Sequence, residues 1–217
     1  ESMTAVLDGV NGCLYAGLSE TDIDAARALQ ETLKKQSDTQ YLRRFEPAVT
    51  CDGIRLEIAA NIASVDDASR AAESGAEGIG LMRSEFLFLE RDSAPDEEEQ
   101  YGAYCRILES MNGLPVTIRT LDIGGDKHVP YLDLPREENP FLGVRGLRLC
   151  LERKDLFRTQ LRAIYRASKK GPLKIMFPMV AVPEELVEAR LLCDEIRAEV
   201  GAAEVPIGIM IEVPSAA

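Results

Sequence analysis

From Gly53 onward the apolar residues fall into short runs separated by longer amphipathic stretches. The runs Leu56–Ala60, Ile79–Met82, Val116–Leu121, Lys174–Met179 and Ile207–Val213 have the length of buried strands. The stretches between them predict helices over Asp66–Ser74, Asp96–Met111, Lys154–Lys169 and Glu184–Val200. Each is followed within a residue or two by Gly75, Gly113, Gly171 or Gly201, a C-terminal stop signal. Tyr101, Tyr104, Cys105 and Leu108 share one helix face, and Phe157, Leu161, Ile164 and Tyr165 share another. Both faces read as core packing. Strands alternating with helices of this length form βαβ units, which gives an α/β class with a parallel sheet. Five strands are too few for a closed eight-stranded barrel, which takes about 250 residues. The expectation is a partial (β/α)8 TIM barrel of about five parallel strands that does not close, with exposed edges near Leu56–Ala60 and Ile207–Val213.

The first fifty residues read differently. A Gly-containing stretch, Val6 to Gly17, leads into a polar helix from about Glu20 to Arg43. Ser19 and Asp22 stand at capping-box spacing, with Asp in place of the usual Glu. Ile23, Ala26, Leu29 and Leu33 make only a narrow apolar stripe, as a connector helix does. The chain therefore divides into residues 1–50, a terminal segment and linker helix, and residues 51–217, the barrel part.

Composition narrows the function classes. The 217 residues carry 25 Lys and Arg against 37 Asp and Glu, a net charge of −12. A surface that acidic opposes nucleic acid and anionic lipid, whose phosphates need a basic patch. No apolar run approaches the roughly 18 residues of a membrane span, and Glu1 to Gly12 has no signal-peptide pattern. The five cysteines, Cys13, Cys51, Cys105, Cys150 and Cys193, are widely spaced and never form Cys-x-x-Cys, so reduced thiols in a cytoplasm are expected. The single histidine, His128, makes a multi-His metal site or a Ser-His or Cys-His mechanism improbable. Any metal would be hard and carboxylate-bound.

Charges stand where three of the runs end. Met82 runs into Arg83, Ile118 into Arg119 with Asp122 close behind, and Ile211 into Glu212. In parallel α/β sheets, ligands bind at the carboxyl ends of the strands. Two guanidinium forks suit a phosphate or carboxylate, and Glu212 offers Mg²⁺ a hard oxygen. The spacing points to a small phosphorylated acid bound with a divalent cation. Residues 122–153 show no clear helix or strand pattern, which is unusual unless the loop has work to do. There Gly124-Gly125-Asp126-Lys127 reads either as an anion-cradling turn or as an ordinary one. Arg145 and Arg148 belong either to the same site or to a loop anchored by ion pairs to Glu137 and Glu138. The acidic run Asp96 to Glu99 is a helix N-terminus that favours negative charge.

These residues carry a resemblance. Gly75-Ala-Glu-Gly-Ile-Gly-Leu-Met-Arg-Ser-Glu-Phe-Leu-Phe resembles the signature of phosphoenolpyruvate-utilising enzymes. Ile118-Arg-Thr-Leu-Asp-Ile-Gly-Gly-Asp-Lys, Glu138-Asn-Pro-Phe-Leu-Gly-Val-Arg, Ile175-Met-Phe-Pro-Met and Gly208-Ile-Met-Ile-Glu-Val-Pro-Ser-Ala narrow it further. Together, and in this order, they resemble enzyme I of the bacterial sugar phosphotransferase system, most strongly over Asp52 to Ala217. The resemblance implies a Mg²⁺-dependent, cytoplasmic and homodimeric parent. Such a parent moves the phosphoryl group of phosphoenolpyruvate to a His of its own swivelling domain, and then to a His-containing phosphocarrier protein in sugar uptake.

Carried over by motif, Arg83 and Arg119 hold the phosphoryl group, Glu212 is one Mg²⁺ ligand, and Arg145 and Lys127 lie at the edge of the site. Val6 to Gly17 resembles the tail of the swivel domain, and the following helix its linker. The phosphoaccepting His, the second metal carboxylate with its neighbouring Asn, the Arg for the substrate carboxylate and the enolate-protonating Cys have no counterpart here. No catalytic residue is therefore expected in this stretch, which should be inactive alone. The alternatives are a pyruvate phosphate dikinase or phosphoenolpyruvate synthase relative, disfavoured by Asp-Ile-Gly-Gly-Asp-Lys, and a non-catalytic regulatory part of a multidomain phosphotransferase.

Overall fold

The computed structural model describes residues 4–124, 129–134 and 137–217. It divides into two compact units, Glu1–Glu46 and Pro47–Ala217. In the first, β1 (Ala5–Asp8) and β2 (Cys13–Ala16) form an antiparallel hairpin. The Asp8 carboxylate closes its turn by accepting from the backbone N–H groups of Val10 and Asn11. Helix α1 (Glu20–Leu42) follows. It opens on the capping box that the sequence predicts, with Ser19 Oγ accepting from Asp22 N–H and Asp22 accepting from Ser19 N–H. None of its residues is buried, and Leu29 and Leu33 of the apolar stripe are exposed.

The second unit begins with a small antiparallel pair, β3 (Ala48–Val49) and β4 (Arg55–Leu56). Beyond it lies a five-stranded parallel sheet, in sequence order: β5 (Ala59–Ile62), β6 (Gly78–Arg83), β7 (Val116–Arg119), β8 (Leu173–Phe177) and β9 (Ile207–Ile209). The connections carry α2 (Val65–Glu73), α3 (Glu97–Met111), α4 (Gly146–Glu152), α5 (Lys154–Ala167) and α6 (Pro183–Val200). The helices pack in order, α2 on α3, α3 on α5 and α5 on α6. Parallel strands in strict sequence order, with helices between them, are a partial (β/α)8 barrel. The sheet does not close, and β5 and β9 are its edges. No helix among the described residues is long and apolar enough to cross a membrane.

The core lies between this sheet and the helices. Met82, Ile118, Ile175 and Phe177 from the strands meet Tyr104, Ile107, Phe157, Leu161 and Ile196 from the helices, all fully buried. The opposite sheet face carries Gly80, Thr117, Lys174 and Gly208 and packs far less tightly.

Three sequence expectations need correction. The first parallel strand is Ala59–Ile62, not Leu56–Ala60, because a turn at Gly53 (φ +87°) folds Arg55–Leu56 back onto β3. Thr50 locks that turn through bonds to Ile54 at both its backbone and its hydroxyl. The last strand stops at Ile209 and not at Val213, its final ladder bond running from Met210 N–H to the Phe177 carbonyl. Residues 122–153, read as lacking a helix, contain α4. That helix spans 7 residues and starts without any side-chain cap, so it leaves no start signal in the sequence.

Candidate functional site

The parallel register sets a row across the carboxyl ends of four strands. Arg83 lies opposite Arg119, Arg119 opposite Met176, and Met176 opposite Gly208. Register partners in a parallel sheet project to one face. At the Gly208 end of the row that face is open, since a Cβ placed there would meet nothing within 4 Å. The two arginines singled out in the sequence are therefore neighbours, each the last residue of its strand.

Their surroundings differ. Arg83 is exposed, and its guanidinium has no ion pair among the described residues. Arg119 is buried, and carboxylates hold it. Its Nη2 donates to Glu85 Oε1 at 2.7 Å, and its Nη1 lies 3.4 Å from Asp122 Oδ2 and 3.6 Å from Met210 Sδ. Glu85 reaches it from a 3-10 turn, Ser84–Leu87, that begins immediately after β6. The same Glu85 oxygen also accepts from Asp122 N–H at 3.1 Å.

Asp122 extends the chain of charges. Its Oδ1 accepts from Arg145 Nε at 3.1 Å, and Arg145 is 3% exposed with its guanidinium 4.6 Å above the Phe141 ring. Glu85, Arg119, Asp122 and Arg145 thus alternate in sign through a buried array, the arrangement in which buried charges are tolerated. Arg145 is part of the support beneath the rim. Arg148 donates to the Leu142 and Phe141 carbonyls, and Glu137 Oε1 accepts from Val144 N–H at 3.1 Å, so both side chains anchor the loop through its backbone.

Gln160 of α5, also fully buried, braces both strand-end segments. Its Oε1 accepts from Leu121 N–H at 3.0 Å, and its Nε2 donates to Ser84 Oγ at 3.1 Å and to Tyr104 OH at 3.3 Å. Tyr104 in turn donates to Gln100. Burial raises the Tyr104 phenol well above its ordinary value of 10.0, so it stays a neutral donor. Burial, then Asp122, also raises the nearby Cys150 thiol, which leaves no reactive thiolate there.

Glu212 lies beyond β9. Its Oε1 accepts from Met179 N–H at 2.8 Å while the residue remains exposed. Met179 has a left-handed φ of +60° and sits against Gly146, where an added Cβ would come within 2.9 Å of Met179 Cβ and 3.3 Å of Asp122 Oδ1. No cluster of three His, Cys, Asp or Glu side chains able to hold a metal ion occurs among the described residues. Glu212 alone thus fits as one hard oxygen ligand, not as a complete cation site. Lys127 and His128 lie outside the described residues. Asp122 was seen in the sequence only as a nearby charge. Glu85 and Gln160 were not seen as site residues at all, although Glu85 lies inside the signature stretch and Gln160 is a polar residue on the apolar stripe of α5.

The chain has clear relatives. Residues 37–217 match the family of phosphoenolpyruvate-utilising enzymes, in its phosphoenolpyruvate-binding domain. The chain is 53% identical over 211 residues to a multiphosphoryl transfer protein of Rhodobacter capsulatus, covering 97% of this chain and 26% of that protein. It is 48% identical over 221 residues to a phosphoenolpyruvate-protein phosphotransferase of Staphylococcus carnosus, covering 99% and 38%. Against the same-named protein of Bacillus subtilis the identity is 44% over 221 residues, covering 99% and 39%. The chain therefore spans between about a quarter and two-fifths of the length of these curated relatives.

Proposed function

The chain belongs to the phosphoenolpyruvate-utilising enzyme family, among the phosphoenolpyruvate-protein phosphotransferases (enzyme I) and multiphosphoryl transfer proteins, and we propose from this that it binds the phosphoryl end of phosphoenolpyruvate. One observation carries the proposal: Arg83 and Arg119 stand in register at the carboxyl ends of adjacent strands. Two guanidinium groups side by side offer a phosphoryl group the charge and the directed N–H donors that its three oxygens need. Phosphoryl transfer is catalysed mainly by positioning and by offsetting charge, which is what such a pair supplies.

Arg83, exposed and without an ion partner among the described residues, brings net positive charge to the rim. Arg119 brings a guanidinium of fixed direction. Arg145 keeps Asp122 in place beneath it, and Lys127, which lies outside the described residues, is the further cation that the family resemblance implies. Glu212 is the carboxylate this chain offers to Mg²⁺. The ion, when bound, would offset negative charge on the substrate oxygens. The parent protein would pass the phosphoryl group to its own His and then to a His-containing phosphocarrier in sugar uptake, as a cytoplasmic homodimer. This chain by itself would bind without transferring.

Calorimetric titration with phosphoenolpyruvate, with and without Mg²⁺, tests the proposal. Saturable binding that is lost in Arg119→Ala and in Arg83→Ala is the expected result. A chain that binds neither phosphoenolpyruvate nor inorganic phosphate at millimolar concentration would sink it.

A further inference from the structure

We infer that Glu85 is a positioning residue for Arg119, fixing the direction in which that guanidinium meets an anion at the strand ends. The inference rests on the phosphoryl-binding reading of the rim. Glu85 is 5% exposed and uses a single oxygen, Oε1, for two contacts, one to Arg119 Nη2 and one to the backbone N–H of Asp122. That oxygen therefore grips the residue that ends β7 and the loop three residues later, from a turn that follows β6. An arginine side chain is long and rich in rotamers, and ordering it costs entropy. A buried carboxylate that already holds one Nη removes part of that cost before the ligand arrives.

The guanidinium is held but not saturated. Each Nη carries two hydrogens, and Glu85 occupies one of those on Nη2. Arg119 Nε and Glu85 Oε2 are both buried with no hydrogen-bond partner among the described residues. Buried polar atoms are seldom left unpaired. Two such atoms on one ion pair mark a contact set by geometry and not by saturation of its donors and acceptors.

Three readings of Glu85 separate cleanly in binding measurements on the 217-residue chain. If it positions Arg119, Glu85→Gln keeps the Oε1 acceptor, and affinity for phosphoenolpyruvate and for inorganic phosphate stays within about threefold. Glu85→Ala, and Glu85→Asp with its shorter reach, then weaken affinity about tenfold, the scale of one hydrogen bond to a charged group. If Glu85 acts only as a repelling charge, Ala and Gln both tighten binding. If it only stabilises the fold, folded variants bind like the parent, and only their unfolding midpoints fall. Either of the last two patterns overturns the inference. Should Glu85→Ala fail to fold, the Asp and Gln variants carry the test.

A second measurement needs no ligand. The Arg119 Nε–H resonance, assigned by its loss in Arg119→Lys, is expected to be protected from solvent exchange in the parent and in Glu85→Gln and to lose that protection in Glu85→Asp. A resonance unchanged across all variants would overturn the inference. Absence of anion binding in the parent, with the resonance responding as expected, would instead remove the phosphoryl-binding reading and leave the positioning intact.

Discussion

Arg83 and Arg119 are register partners at the ends of adjacent parallel strands, yet one is exposed without an ion partner among the described residues and the other is buried against two carboxylates. The difference separates binding from stability. Arg119→Ala leaves Glu85 as a buried charge without its ion partner, and breaking a buried pair from one side costs about 3–5 kcal/mol. Arg83→Ala breaks no pair among the described residues and should change stability by no more than about 0.5 kcal/mol. Both should weaken phosphoenolpyruvate binding. Urea unfolding alongside calorimetry checks this, and an Arg83→Ala chain as unstable as Arg119→Ala would contradict the arrangement described here.

Gly146 is the joint between the buried ion array and the acidic side of the rim. Its φ of +56° is costly for any side chain, and an added methyl would press on Met179, whose N–H holds Glu212, and on Asp122. Gly146→Ala should lose about 1–3 kcal/mol of stability through strain and overpacking. It should also reduce whatever gain in phosphoenolpyruvate affinity Mg²⁺ brings, because Met179 cannot yield without moving its bond to Glu212. Titrations of the variant with and without Mg²⁺ give the comparison, and an undiminished Mg²⁺ effect would show that Glu212 is held independently of Met179.

Most of the frame could be read in the sequence because periodicity survives tertiary folding. The five apolar runs and the helices between them lie within a few residues of the observed elements, and the strand-end arginines follow from knowing where the strands stop. The misplaced first strand shows the limit. Leu56 and Ile58 are apolar but half-exposed, and a turn built by Thr50 and Gly53, not the pattern, decides where the sheet begins. Glu85 was invisible for a different reason. A Glu after a strand is ordinarily a solvated charge, and only a single 3-10 turn, with no periodic signal, rolls this one under Arg119. Gln160 left a usable trace, since it sits between Phe157, Leu161 and Ile164 on an otherwise apolar stripe. A polar residue at the centre of such a stripe should be read as a buried bracket in search of its partners.

The thiols offer a test of the core that involves no ligand. Cys13 and Cys51 are exposed, Cys105 is intermediate, and Cys150 and Cys193 are buried. Burial pushes the Cys193 thiol up to about 12 and that of Cys150 above its ordinary value of 9.0 as well. A thiol-exchange reagent at neutral pH should modify Cys13 and Cys51 quickly and Cys105 more slowly. Cys150 and Cys193 should react only as the chain unfolds, since the thiolate is the reacting form. Mass mapping of the labelled chain over time would show the order, and early labelling of Cys150 would mean that the packing around Leu121 and Gln160 opens readily.

Acid sensitivity should come in part from Glu77, which ties the segment between β4 and β5 to the start of β6. Its carboxylate accepts from Ile58 N–H at 2.9 Å and pairs with Arg55. The Ile58 bond first, and Arg55 after it, hold the carboxyl below its ordinary value of 4.5. A carboxyl lowered in the folded state contributes stability above its unfolded value and loses it as the pH falls through the folded value. The contribution is therefore complete at neutral pH and fades below about pH 4.5, where protonation weakens both contacts. Glu77→Gln still accepts from Ile58 N–H but cannot titrate. It should be somewhat less stable than the parent at neutral pH, and the gap should close on acidification. Urea midpoints for the two chains at neutral pH and near pH 4 would give the two slopes. A gap that stays constant would place the acid lability elsewhere, with Asp8, Asp67, Glu99, Asp155 and Glu195 the other carboxylates held low by their own partners.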